Sequence, residues 1–184
     1  MSTTLRESLD AALADCVVID CETTGLNPAD ARIIEIAALR VHDGVPVETF
    51  HTLVDPGVPL PREITALTGI SPQQLVGKPS FADIIGDVTG FLGERTVVGH
   101  NVEFDISFIN AEVRRSGSST PPVVPTVVCT AESARRLIPR DRVGRYRLAT
   151  LADVLGLAHR PSHRAVDDVL ATADLLAFLG SLSR

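Results

Sequence analysis

The chain alternates short apolar runs of strand length with longer segments whose apolar residues recur at helical spacing. CVVIDCE (16–22), RIIEIAALR (32–40) and VETFHTLV (47–54) read as three strands, with the turn signal Asp43-Gly44 between the second and third. The short connections among these three predict an antiparallel meander. VPLPREITALTGIS (58–71) reads as one short helix flanked by prolines, and SFADIIGDVTGFLGER (80–95) as a helix with a periodic apolar face. TVVGHN (96–101) is a short strand entering VEFDISFINAEVRRSG (102–117), a helix closed by Gly117. After the loop SSTPPVVP (118–125) come a last strand, TVVCT (126–130), and helices over 131–138, 148–156 and 164–180. This order predicts an α/β fold: a mixed sheet of three antiparallel strands plus parallel strands, covered by helices on both faces.

Length and composition narrow the class. With 184 residues, 45% hydrophobic and no Trp, the chain is expected to form one domain over 1–184, with no internal repeat. No apolar run approaches the ~20 residues that a membrane span needs. The N-terminus is polar where a secretory signal is apolar, and Thr4-x-x-Glu7 has the form of a capping box. Cys16, Cys21 and Cys129 lack CxxC spacing, which argues for reduced thiols in cytoplasm and against structural zinc. A net charge of −6 argues against a protein that coats duplex through a broad basic surface. It leaves room for an enzyme that grips a few nucleotides through bound cations.

Three stretches carry candidate chemistry. The first, VVIDCETTGL (17–26), ends an apolar strand with Asp20 and Glu22. Acids number 23, so about three acid-x-acid pairs arise by chance. The chain has two, and position rather than spacing distinguishes them. Residues i and i+2 of a strand share a face, so these two carboxylates sit side by side, which is costly unless a cation or a proton neutralises them. The plain alternative is a strand that ends at Ile19 and leaves both acids solvated.

The second stretch, VVGHNVEFDISFI (97–109), places Asp105 in the first turns of a helix beside the carboxyl end of a strand, where ligands of α/β folds collect. Its plain reading is a partner for the helix dipole. Phe104 and Phe108, at i and i+4, read as core. The third is SHRAVDDVLATADLLAFL (162–179). On a helical wheel Asp167 shares a mixed face with Arg164, Ala171, Asp174 and Phe178, whereas Asp168 shares an inward face with Ala165, Thr172, Leu175 and Leu179. If Asp168 meets Asp20, Glu22 and Asp105, the four form an oxygen-only set of the kind Mg²⁺ or Mn²⁺ prefers. His163, at the start of that helix, gains meaning only from such a cluster.

In this order VIDCETTGL, GHNVEFDISFI and HRAVDDVLAT resemble the three motifs of the DnaQ-like 3′→5′ exonucleases, within the RNase H-like superfamily, over roughly residues 15–180. The His, rather than a Tyr, matches the DEDDh branch, which includes polymerase proofreading subunits, RNase T and oligoribonuclease. The resemblance implies metal ligation by Asp20, Glu22, Asp105 and Asp168 and a general-base role for His163. It implies that Thr23, Thr24, Gly25 and Leu26 hold the 3′-terminal nucleotide, with the leucine wedged against a base. His100, Asn101 and Phe104 match positions behind the ligands or beside the nucleotide, and ITALTGIS (64–71) resembles a segment lining the nucleotide pocket of relatives. Cys129 stands where many relatives carry an acid.

The function so implied is release of nucleoside 5′-monophosphates from the 3′ end of a single strand by two divalent ions, Mg²⁺ or Mn²⁺, with an imidazole taking the proton of the attacking water. LATLADVLGL followed by HRAVDDVLAT is closest in spelling to polymerase-III-epsilon-type exonuclease domains, so DNA is favoured over RNA. An RNA-directed exoribonuclease of the oligoribonuclease or RNase T kind is the alternative. A polymerase or repair complex is an implied partner, as is a homodimer in some relatives. The chain ends about a dozen residues past the third motif's core, which favours a stand-alone enzyme. A reading from another class is a non-catalytic nucleic-acid-binding module. Arg135, Arg136, Arg140, Arg142, Arg145 and Arg147 either track backbone phosphates or form a solvated face paired with Glu132 and Asp141.

Overall fold

At the centre of the sheet lies β1 (Asp15–Thr23), whose β-branched residues alternate between two buried faces. Val17, Ile19 and Cys21 face one helical layer, and Cys16 and Val18 the other. β2 (Ile33–His42) and β3 (Val45–Leu53) complete the antiparallel part, and β4 (Thr96–Gly99) and β5 (Val127–Cys129) run parallel to β1 in the order β3-β2-β1-β4-β5. The structure, a computed structural model, describes residues 4–182, so the first three and last two residues of the expected 1–184 domain lie outside it. Asp43 and Gly44 both take positive φ (49° and 74°), the conformation of a two-residue hairpin turn, and join β2 to β3 as the sequence predicts.

One face of the sheet is covered by α1 (Leu5–Ala14), α6 (Thr130–Leu137), α8 (Leu148–Leu155) and α9 (Ala165–Leu182). The other is covered by α4 (Phe81–Leu92) and α5 (Val102–Arg115). The fold is thus the mixed, doubly covered sheet that the pattern predicts. The capping box of α1 is present: Thr4 Oγ1 accepts from the Glu7 N–H and Glu7 accepts from the Thr4 N–H.

Two local expectations change. The single helix expected over 58–71 is two, α2 (Arg62–Thr68) and α3 (Pro72–Leu75). Gly69, at φ 72°, ends α2 in the left-handed region with its N–H on the Thr65 carbonyl, and Pro72 restarts the chain as the first residue of α3. A one-turn helix, α7 (Arg140–Val143), also lies between Pro139 and Gly144, too short to leave a periodic signal.

Candidate active site

β1 pairs with β4 only over Cys16–Val18. Beyond Val18 its edge on that side is left open, because the chain turns away from β4 through His100 and Asn101 into α5. Gly99 permits this turn, since a Cβ there would lie 3.1 Å from the Cα of Val102. Asn101, at φ 73°, starts α5. The turn brings Asp105 back against the open edge, where its Oδ1 accepts from the Cys21 N–H at 2.9 Å. Asp20 and Glu22 stand on either side of that residue on β1. Asp168, in the first turn of α9, arrives from the opposite layer, with its Oδ1 held by the Ser162 N–H at 2.9 Å. The wheel's choice of acid matches: Asp168 is buried, while Asp167 is half-exposed and accepts from the Ser162 hydroxyl.

Asp20, Glu22, Asp105, Asp168 and His163 line one cavity of about 260 Å³, with His100, Asn101 and Phe104 beside them. Ligand atoms of Glu22, His163 and Asp168 all lie within 4.8 Å of one another. Among the described residues none of the four acids forms a salt bridge. Burial, then repulsion from Asp105, Asp168 and Glu22, pushes Asp20 well above the ordinary carboxylate range. Burial and then Asp168 and Glu35 push Glu22 up to about 8. Burial raises Asp105 to about 7 despite its bond to Cys21, and raises Asp168 despite the Ser162 N–H. Four carboxylates that repel one another in a partly dry site, with an imidazole at the rim, fit a hard divalent cation.

His163 is exposed and sits at φ 59°. The two residues that follow it are anchored by Glu35, which the sequence reading missed. Glu35 lies directly opposite Glu22 in the β1–β2 ladder and is fully buried. Arg164 grips it with Nη2 on Oε1 at 2.8 Å and Nε on Oε2 at 3.1 Å, the Ala165 N–H donates to Oε2 at 3.0 Å, and His51 Nε2 lies 2.8 Å from Oε1. Burial alone would raise Glu35, but these partners outweigh it and hold the carboxyl below its ordinary range. The residue after His163 and the first turn of α9 are therefore pinned to the sheet. The available signal was a single acid inside the apolar run RIIEIAALR.

The other expected residues divide. His100 Nε2 lies 2.8 Å from the Tyr146 carbonyl, so that nitrogen carries the proton, and Nδ1 accepts from the Thr130 hydroxyl at 3.0 Å. Burial lowers its pKa, leaving a neutral ring that ties the β4 turn to the 144–147 segment. Phe104 packs on the buried Phe108, with centroids 4.7 Å apart and the rings tilted by 45°, and also lines the cavity. Thr23 ends β1, and Thr24, Gly25 and Leu26 form the loop after it. Thr23 donates to the Gly25 carbonyl, Thr24 accepts from the Arg32 N–H, and Leu26 projects with 86% of its surface exposed. A buried Glu112 on α5, bonded to Arg32 Nε at 2.9 Å, braces this loop. Residues 64–71 line neither the acid cavity nor its neighbour; Ile64 and Ile70 pack on Ile34 instead.

That neighbour is a cleft of about 660 Å³, which shares Asp20, His100, Asn101, His163 and Asp168 with the acid cavity and has four arginines among its other lining residues. The expected pairs from these arginines to Glu132 and Asp141 are not formed among the described residues, because the side chains turn to the cleft or to solvent. No helix there is long and apolar enough to cross a membrane.

Comparison with known proteins gives a consistent family. Residues 17–176 match the RNase T family model, described as exonuclease. The chain is 37% identical to the DNA polymerase III epsilon subunit of Aquifex aeolicus, over 86% of this chain and 77% of that protein. It is 40% identical to a Mycobacterium tuberculosis protein whose name pairs exonuclease with endonuclease, over 87% of this chain and 25% of that one. It is 38% identical to the PolC-type DNA polymerase III of Clostridium perfringens, over 88% and 11%. The chain thus spans a quarter or less of those two longer relatives. Among solved structures it resembles exonuclease X in complex with 5′-overhanging duplex DNA, with a TM-score of 0.71, 30% identity and coverage of 89% and 90%.

Proposed function

Because the chain belongs to this DnaQ-like exonuclease family, we propose that it removes nucleotides one at a time from the 3′ end of single-stranded nucleic acid, DNA in preference to RNA, releasing nucleoside 5′-monophosphates. The observation that carries the reading is the convergence of four carboxylates and an imidazole on one cavity, with none of the four acids in a salt bridge among the described residues. Identity to a polymerase III epsilon subunit supports DNA over RNA and makes a polymerase or repair assembly the partner to seek.

Asp20, Glu22, Asp105 and Asp168 would hold two divalent ions, Mg²⁺ or Mn²⁺. When bound, such ions lower the pKa of the attacking water and stabilise the leaving 3′-oxygen. Asp105 holds its carboxylate in place through the Cys21 N–H, and the other acids meet it from β1 and α9. His163 takes the proton from the water and, being exposed, passes it to solvent. Leu26 presents an apolar edge against the terminal base, and the half-buried Phe104 offers a ring face at the cavity. Shared positive charge and in-line geometry leave the protein mainly the tasks of positioning and proton removal.

The test is digestion of 5′-labelled single-stranded DNA and the matching RNA with Mg²⁺, Mn²⁺ or EDTA, beside Asp20→Ala. A metal-dependent ladder shortening from the 3′ end, absent in the variant, is expected, with DNA faster. Tight binding without digestion of either strand would return the protein to the binding-module class.

A further inference from the structure

The arginine segment that the proposed chemistry leaves unused walls the larger cleft beside the acids. Arg135, Arg140, Arg145 and Arg147 all line it. Among the described residues no side chain of these four donates a hydrogen bond or forms an ion pair, and only Arg135 has a ring contact, 5.9 Å from the centre of Tyr146. Four unpaired cations gathered on one wall of a protein with net charge −6 repel one another and await anions.

Which anions follows from the chemistry at the neighbouring site. A mononucleotide leaving a 3′ end carries one phosphate, the scissile one, and that phosphate belongs to the acid cavity. Every other phosphate of the substrate lies upstream, on the strand that stays behind. Cationic groups continuous with the acid site but beyond it can therefore meet only the retained strand. We infer that the cleft between α7, the 144–147 segment and Pro161 is a subsite for the sugar-phosphate backbone of the upstream nucleotides, gripped by Arg140, Arg145 and Arg147, with Arg135 held against Tyr146 as its floor. The direction of the strand in the cleft rests on the 3′→5′ reading. The subsite accepts any base, since its donors are guanidinium groups suited to phosphate oxygens. It makes chain length, not sequence, the selected property.

Fluorescence anisotropy of labelled DNA of two, four and eight nucleotides, in EDTA and over 50–200 mM salt, tests this without turnover. With three phosphate contacts on a single strand the salt slope is about −0.7 per contact, so the octamer loses roughly 20-fold in affinity across that range, while the dinucleotide loses much less. In the triple variant Arg140→Ala/Arg145→Ala/Arg147→Ala the slope shrinks by about 2, and the corresponding Arg→Lys triple restores it, because an ammonium also meets a phosphate as a point charge. With Mg²⁺ or Mn²⁺, the ratio of kcat/KM on the octamer to that on a small chromogenic diester of a nucleoside 5′-monophosphate falls at least about tenfold in the Ala triple. An Ala triple that folds, as its circular dichroism shows, and binds the octamer with the wild-type slope overturns the assignment. Wild-type protein that shows the slope and its loss but releases no nucleotide retains the strand subsite and removes the exonuclease reading.

Discussion

Glu22 and Glu35 face each other across two strands of one sheet, and their surroundings could hardly differ more. Glu35 is wholly buried and satisfied by a guanidinium fork, a backbone N–H and an imidazole. Glu22 shares its cavity with three other carboxylates and has no ion-pair partner of its own among the described residues. Like charges directly opposite in a ladder are destabilising. The sheet tolerates this pair because one member is neutralised from within the chain and the other waits for a cation from outside it. An acid met by a cation of its own chain is architecture, and a cluster of acids with no salt bridge among the described residues marks a site.

The comparison is broken most severely by removing the charge that waits. Glu22→Gln is expected to lower metal-dependent hydrolysis about 10³-fold, since a ligand charge is worth several kcal/mol to the transition state. The same change is expected to raise the melting temperature of the metal-free protein at pH 8. Steady-state rates and melting in EDTA measure both, and a variant that loses activity and stability together would show that Glu22 is architecture after all.

Removing the satisfied member has the opposite signature. Glu35→Ala leaves Arg164, itself partly solvated, and the Ala165 N–H without their acceptor, which costs about 3 kcal/mol by urea unfolding, at the low end for a broken buried pair. Activity falls as well, because the strained His163 is next to Arg164. A variant that kept full stability would mean the fork contributes nothing to the fold.

The two glutamates also titrate with opposite sign. Glu22 is held at about 8 in the folded chain, against an ordinary 4.5, so it binds its proton more tightly folded than unfolded. Its contribution is fully present below about pH 4.5 and is lost as pH rises through 8. Asp105, at about 7, acts in the same direction. Glu35 is held low, so its contribution is present above its ordinary value and is lost as pH falls through its folded pKa. The metal-free protein is therefore expected to lose about 1–2 kcal/mol between pH 5 and 8 from the acid cluster, after allowance for solvation, and Mg²⁺ is expected to cancel that loss. A flat melting profile in EDTA would contradict the crowding of charge. The smallest effect is expected from His51→Ala. This partner of Glu35 is partly exposed, so its loss costs about 1 kcal/mol or less and leaves hydrolysis nearly unchanged.

Much of this was legible from residue order. Strand alternation put Asp20 and Glu22 on one face, and the helical wheel separated Asp168 from Asp167, because both periods are local geometry that the chain cannot escape. Glu35 escaped notice because one acid in a nine-residue apolar run leaves the period intact. Its meaning depends on Arg164, 129 positions away. The positive φ of Asn101 and His163 was equally hidden, since each is set by what packs around the turn, whereas Gly69 and Pro72 were local signals for the division of α2 from α3 that the periodic pattern passed over. The arginines showed their number in the sequence but not their partners, and it is the missing partners that the cleft reveals.

The long reach between Arg164 and Glu35 has a consequence in time. Asp105 meets β1 across 84 positions and Arg164 meets β2 across 129, so the site closes only through distant contacts, which form slowly. A ribosome that has not yet released residues 163–168 carries a chain lacking His163, one acid of its cluster and the counterion of a fully buried glutamate. Such a nascent chain holds Glu35 in its sheet without the guanidinium that neutralises it. On the proposed function, hydrolysis would thereby wait for the contacts that bring α9 onto the sheet.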